Sequence, residues 1–225
     1  MISSDAVSSV QIWHILTRLG EAEILLPAAG LTAIALFARS ETRRLALSWV
    51  MLIIMAAVIT TASKVAFIGW GVGWADINFT GVSGHAMFAA AIYPILMITL
   101  VAGQLRGNHR LSLALGCALA ILVGLSRVEV GAHSWSEVLA GWVVGGAVSA
   151  AALAVSETSV ILIRPIVPAI VLAWVAVMPF ELHASQTHSL VARLAVAISG
   201  NETPFKRSEL IRPVRKQSSW FVHGA

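Results

Sequence analysis

Ser126-Arg127-Val128-Glu129-Val130-Gly131-Ala132-His133-Ser134-Trp135-Ser136-Glu137 joins two long apolar runs, at about 111–125 and 136–155. It carries an arginine, a histidine and two glutamates in a chain with few charges. In a bilayer such groups are costly unless they pair, face water or do chemistry. Runs near 20 residues are what a helix needs to cross a hydrocarbon core of about 30 Å. The stretch therefore reads as a polar rim between two membrane-spanning helices. Upstream, Ser83-Gly84-His85 opens another apolar run.

The composition agrees. Of 225 residues, 58% are hydrophobic and 12% charged, with mean hydropathy +0.85, against about 25% charged in soluble domains. The expected fold is an all-α integral membrane bundle of about six transmembrane helices, preceded by an N-terminal interfacial helix. Long alternating strand patterns are absent, which argues against a membrane barrel. Net charge +4 fits basic residues at span ends, which set topology and meet anionic lipid. No basic stretch is interleaved with stacking aromatics, so nucleic acid is not expected as a partner. Cys117 lies inside an apolar run and reads as a packed core thiol. The N-terminus has no basic segment of the signal-peptide kind, so the first span is expected to insert the chain.

Three regions follow. Residues 1–20 place Val7, Val10, Ile12, Trp13, Leu16 and Leu19 largely on one helical face, as an interfacial helix does; a disordered tail is the alternative. Residues 21–180 form the bundle, with spans near 22–38, 45–68, 83–103, 111–125, 136–155 and 160–180. Gly141, Gly145 and Gly146 in the fifth allow close helix approach. Trp70 and Trp74 either belong to an aromatic belt or line a substrate mouth. Residues 181–225 are a polar, basic tail with a weakly amphipathic piece near 190–198, read as a surface helix plus a flexible end.

Alternation of six spans brings Lys64, His85, Arg127, His133 and Glu137 to one membrane face. Arg39, Arg43, Arg44, Arg106, Arg110 and Arg164 fall on the other, which the positive-inside rule makes cytoplasmic. Arg193, Lys206, Arg207, Arg212, Arg215 and Lys216 of the tail land on the first face, against that rule. Short loops weigh more than a distant tail, so the first face is expected to be external.

The chemistry sits on that face. His133 and Glu137 are four residues apart; on a helix beginning at or just before His133 they share a face. Glu137 then holds one imidazole nitrogen and leaves the other free to attack. Arg127, on the preceding loop, offers a planar fork that matches phosphate oxygens. Ser83 and Gly84 begin a helix, where free N–H groups and the helix dipole favour an anion. His85 can donate a proton to a leaving oxygen. Lys64 is either a second cation for that anion or a snorkelling anchor. His14, His109, His183, His188 and His223 read as interfacial or packing residues. Glu129 reads as solvated, and the triplet Asn201-Glu202-Thr203 as a chance glycosylation match.

Ser83-Gly84-His85, followed by Ser126-Arg127, five residues, His133, three residues and an acid, resembles the type 2 phosphatidic acid phosphatase family. That superfamily includes lipid phosphate phosphatases and vanadium-dependent haloperoxidases. The resemblance spans about 64–137, and the second motif arises by chance in well under about one chain in a hundred. Three positions depart from the signature: the closing acid is Glu137 rather than Asp, Val82 replaces Pro, and Gly71-Val72 stands where Arg-Pro would follow Lys64.

The resemblance implies a membrane lipid phosphatase acting on a lipid phosphate monoester or pyrophosphate. His133 would form a phosphohistidine, Glu137 would orient it, and His85 would protonate the leaving group and then activate water. Lys64, Arg127, Ser83 and Gly84 would hold the phosphoryl oxygens, with no metal or other cofactor. The partners expected are the lipid substrate and membrane lipids. The expected place is a bacterial inner (cell) membrane, with the site facing the periplasm or exterior. A lipid phosphotransferase, or a catalytically silent transport or binding protein on the same scaffold, is the alternative.

Overall fold

A computed structural model describes residues 4–101, 108–155 and 186–211. Its helices are α1 (Ser4–Arg18), α2 (Ala22–Phe37), α3 (Arg43–Trp70), α4 (Gly84–Val101), α5 (His109–Glu129), α6 (Trp135–Ala154), α7 (Gln186–Ser199) and α8 (Arg207–Ile211). Among the described residues there is no strand, only an isolated bridge between Trp74 and Phe79. The expected all-helical membrane bundle is what the chain forms. Four stretches, Gln11–Phe37, Ser40–Trp70, His109–Glu129 and Trp135–Ala154, are long and apolar enough to cross a membrane. The span expected near 160–180 lies outside the described residues, as do Arg106 and Arg164.

Helix α4 is the axis of the bundle. It is apolar on every side, and a helix of that kind is stable only when surrounded. Ala86, Met87, Ala89, Ala91, Ile92 and Ile95 are fully buried, and α2, α3, α5 and α6 all pack on α4. Trp49 of α3 is buried and donates its indole N–H to the Ala91 carbonyl at 2.9 Å. Two glycines let backbones nearly touch. A Cβ on Gly145 of α6 would lie 2.1 Å from the Met87 carbonyl oxygen, and one on Gly116 of α5 would lie 2.6 Å from the Tyr93 carbonyl oxygen. Gly146, expected to serve the same purpose, faces open space. The outer helices turn Ile34, Met51, Ile54, Met55, Val58, Leu122 and Val143 outward. Such continuous apolar surface marks a lipid-facing wall. Cys117 is on this exposed surface and is not the core thiol expected, because α5 presents Gly116, Ala120 and Val123 to the core instead.

The helices alternate in direction, so the ends of α1, α3 and α5 and the starts of α2, α4 and α6 meet at one face. That is where the polar residues gather. At about 1.5 Å per residue α3 is about 42 Å long, which carries Lys64 to this rim. Arg39, Arg43, Arg44 and Arg110 lie at the opposite ends.

Candidate active site

The turn between α5 and α6 sets His133. Helix α5 continues through Glu129, so Arg127 lies in its last turn and not on a loop as expected; arginine is a good helix former and the connection needs only five residues. Gly131 at φ +70°, a conformation glycine adopts without steric cost, reverses the chain. Ala132 and His133 then donate their backbone N–H groups to the Arg127 carbonyl, at 3.0 and 3.1 Å. Helix α6 starts at Trp135 with Ser134 as its N-cap, so His133 lies just before the helix, not on it.

The pairing with Glu137 survives because Glu137 is the third residue of a capping box. The Ser134 hydroxyl accepts from the Glu137 N–H, and the Glu137 carboxylate reaches back to the Ser134 N–H at 3.2 Å. The same carboxylate takes His133 Nδ1 at 2.7 Å. Ser134-x-x-Glu137 is a recognised helix-start signature and was readable in the sequence. With both Glu137 oxygens acting as acceptors, Nδ1 carries the imidazole proton and Nε2 keeps its lone pair.

The loop between α3 and α4 closes over Glu137, which is fully buried. Glu137 Oε1 accepts from the Thr80 N–H at 2.8 Å and from the Thr80 hydroxyl. Ser136 donates to the Ile77 carbonyl, and the Ser83 N–H donates to the Glu137 carbonyl at 3.0 Å. The Ser83 amide is therefore occupied. What Ser83 has left for an anion is its hydroxyl, buried and without a hydrogen bond. Gly81 passes over Lys64, and the Val82 N–H is held by Ser63. A Cβ on Gly84 would lie 3.8 Å from Lys64 Nζ, so the Lys64 ammonium sits beside the first turn of α4.

Lys64, Gly84, His85, Arg127 and His133 line one cavity of about 170 Å³. These residues come from α3, α4, α5 and the α5–α6 turn, and the structure brings all of them together. Ser83 and Glu137 stand behind that lining. Arg127 Nε and Thr60 Oγ1 are buried there without partners, donors suited to an anion. The cavity continues along Ala57, Ile68, Met87, Phe88 and Val191, an apolar flank. Among the described residues no group of three His, Cys, Asp or Glu side chains is arranged to hold a metal ion. Burial lowers the His133 pKa from its ordinary value, opposed by the Glu137 hydrogen bond and reinforced by the Lys64 and Arg127 charges. The neutral form is thereby favoured near pH 7.

Several residues at this site escaped the sequence reading. Glu21, the N-cap of α2, and Glu23, in its first turn, also line the cavity. Gly20 packs against His85, and Tyr93 donates to the Leu19 carbonyl at 2.7 Å. Thr80 and Arg207 both bind Glu137. Where the resemblance would place Arg-Pro, Gly71 at φ +70° closes α3, its N–H on the Phe67 carbonyl and its Cα under the Phe205 ring. An arginine at that φ would be strained. Trp70 and Trp74 are exposed and absent from the cavity lining.

Residues 67–161 match the family model described as PAP2 superfamily. A Klebsiella pneumoniae protein described as an uncharacterized 22.5 kDa protein in the cps region is 34% identical over 207 residues, which cover 88% of this chain and 97% of that one. Phosphatidylglycerophosphatase B of Bacillus subtilis is 36% identical over 72 residues, 31% of this chain and 36% of that one. The crystal structure of a transmembrane PAP2-type phosphatidylglycerolphosphate phosphatase from Bacillus subtilis has a TM-score of 0.52 at 24% identity, covering 66% of this chain and 76% of that one. Lys64 and Arg207 both lie outside the family match.

Proposed function

Because this chain belongs to the PAP2 superfamily and is an integral membrane relative of lipid phosphatases, we propose that it hydrolyses a lipid phosphate monoester or pyrophosphate through a phosphohistidine at His133. The observation that carries this reading is the convergence of Lys64, His85, Arg127 and His133 on one cavity, beside the unpaired Ser83 hydroxyl and Arg127 Nε. A tetrahedral anion would satisfy those donors together.

In this scheme the His133 Nε2 lone pair forms a bond to phosphorus as the bond to the leaving oxygen breaks, and His85 passes a proton to that oxygen. Water then gives a proton to His85, attacks phosphorus and breaks the N–P bond, releasing phosphate. Glu137 holds the imidazole at Nδ1 throughout. Lys64, Arg127 and the N–H groups of the first turn of α4 stabilise the charge on the phosphoryl oxygens, so no metal enters the scheme. The apolar flank would take the start of the lipid chain. The basic residues at the far ends of α2, α3 and α5 favour a cytoplasmic location for that end, leaving the site facing the periplasm or exterior of a cell membrane.

The test is release of free phosphate from purified protein given phosphatidic acid, phosphatidylglycerol phosphate, an isoprenyl pyrophosphate and a lipid A phosphate in turn. Release from at least one, abolished in His133→Ala, is expected. No release from any of them, or equal release by His133→Ala, overturns the reading. Transfer of the phosphoryl group to a second lipid, seen by mass spectrometry, would make the protein a phosphotransferase. Orthovanadate bound by the wild type and lost in Arg127→Ala, without any hydrolysis, would make it a silent binding protein.

A further inference from the structure

The C-terminal segment is built into the site. Helix α7 packs along α3, with Ala195 buried and Val191 lining the cavity. Gly200 at φ +71° ends it, and the Asn201 side chain donates to the Gly69 carbonyl. Asn201, which read as a chance glycosylation match, is thus a clamp on the end of α3. The Phe205 N–H donates to the Ile68 carbonyl at 2.9 Å. Its ring covers Gly71 and Leu210 packs by Gly73. The chain is therefore gripped from Asn201 to Leu210, and Arg207 sits in the middle of that grip.

One nitrogen of Arg207, Nη2, lies 2.7 Å from Glu137 Oε1 and 2.6 Å from Oε2. It is also 3.3 Å from the Thr80 hydroxyl. Arg207 is absent from the cavity lining and shares Glu137 Oε2 with His133 Nδ1. A carboxylate offers about four acceptor positions. Here His133 Nδ1, the Ser134 N–H, the Thr80 N–H and hydroxyl, and Arg207 all converge on it. The other titratable and charged groups at the cavity with His133 are Lys64 from α3, His85 from α4, Arg127 from α5, and Glu21 and Glu23 at the start of α2.

We infer that Arg207 is a positioning residue for the His133–Glu137 pair, delivered by a C-terminal strap over residues 186–211. It rests on the reading of His133 as nucleophile. Arg207 does two things. It fixes the carboxylate in the one rotamer that reaches Nδ1, and it offsets part of the carboxylate charge. Without that offset an unneutralised Glu137 would hold a proton on the imidazole, and a protonated imidazole cannot attack. The strap thus supplies a cation to the orienting acid, while the phosphate cations remain Lys64 and Arg127.

The experiment compares full-length Arg207→Gln and Arg207→Lys with wild type. It reads the His133 titration by NMR of histidine-labelled protein, and kcat and KM on whichever lipid phosphate of the panel is hydrolysed. Arg207→Gln is expected to raise the His133 midpoint by about one unit, as loss of a neighbouring cation does. It should lower kcat by about tenfold or more and leave KM within about twofold, since Arg207 does not line the cavity. Arg207→Lys should restore most of both. An unchanged His133 midpoint in Arg207→Gln overturns the inference, as does a loss of kcat that Lys does not relieve. Should Arg207→Gln not fold, Asn201→Ala loosens the strap and leaves Arg207 in the chain. It should move the midpoint in the same direction, and an unchanged midpoint overturns the inference. If no lipid of the panel is hydrolysed, the proposed function fails while the titration still decides the position of Arg207.

Discussion

Replacing Glu137 by Gln keeps the shape of the side chain and changes only what its ends can do. Both carboxylate oxygens are acceptors in the structure. Oε1 receives the Thr80 N–H at 2.8 Å, and Oε2 receives His133 Nδ1 at 2.7 Å and the Ser134 N–H at 3.2 Å. A carboxamide has one acceptor and one donor end. If its NH₂ faces Thr80, two donors meet a backbone N–H and hydroxyl inside a fully buried site, at about 1–3 kcal/mol for each unsatisfied group. If its NH₂ faces His133, the imidazole must turn Nδ1 into an acceptor, which puts the proton on Nε2 and removes the attacking lone pair. Either orientation also sets the NH₂ against Arg207. The serine-protease triad, a worked case for the wrong-tautomer effect, loses about 10⁴ in kcat when its acid becomes an amide. The same logic here gives a loss of about 10³–10⁴, or about 4–5.5 kcal/mol at 1.36 kcal/mol per tenfold. The assay is phosphate release at saturating lipid phosphate, run beside thermal unfolding of each variant. A Gln variant that keeps more than a tenth of the wild-type kcat would refute the assignment of Glu137 as the group that orients His133.

Three other outcomes follow from the geometry. Burial lowers the His133 pKa, so its NMR titration should have a midpoint below 6.5, with the neutral form lost only as pH falls through that lowered value; a midpoint above 6.5 contradicts the environment described. Adjacent glycines in α6 should respond differently. Gly145→Ala drives a Cβ to 2.1 Å from the Met87 carbonyl oxygen and should cost about 3 kcal/mol. That lowers Tm by about 6–12 °C, whereas Gly146→Ala meets nothing and should leave Tm unchanged or raise it, since alanine favours a helix by about 1 kcal/mol. Orthovanadate at about 100 times its Kd should add about 2.7 kcal/mol, a rise of about 5–11 °C in Tm, and the rise should vanish in Arg127→Ala.

The two histidines were legible because their signals are local. Ser83-Gly84-His85 and Arg127-x5-His133-x3-Glu137 each sit at the edge of an apolar run, and alternation of spans carries both edges to one rim. The start of α6 carries its own signal in Ser134-x-x-Glu137, which the shared helical face expected of His133 and Glu137 leaves out. The central place of α4 was hidden because its hydropathy resembles that of its neighbours; only its alanines, small enough for four helices to close around it, distinguish it. Arg207 was out of reach. It lies 70 residues beyond its partner in a basic tail whose charges look alike, and nothing local separates it from Arg193 and Lys206, which are exposed. Glu21 and Glu23 were missed for a related reason, because acids at the head of a helix read first as partners of its dipole.

Glu137 joins these strands. It caps α6, ties the α3–α4 loop through Thr80, holds His133 and receives the strap. A shorter acid would have to choose among these. The carboxylate of an aspartate at this position would stand about one bond length nearer the backbone, within reach of the Ser134 N–H but drawn back from Thr80 and Arg207. The extra methylene therefore has a physical reason in this chain: it carries the carboxylate out to where the strap and the loop both arrive. The departures from the family signature then belong together. Where Arg-Pro is absent, Gly71 makes a left-handed close that Phe205 can cover, and the segment that covers it brings Arg207 to the acid. A cation thus stands at the carboxylate that holds the imidazole. In the proposed scheme it would set the protonation of His133, while Lys64 and Arg127 would hold the anion.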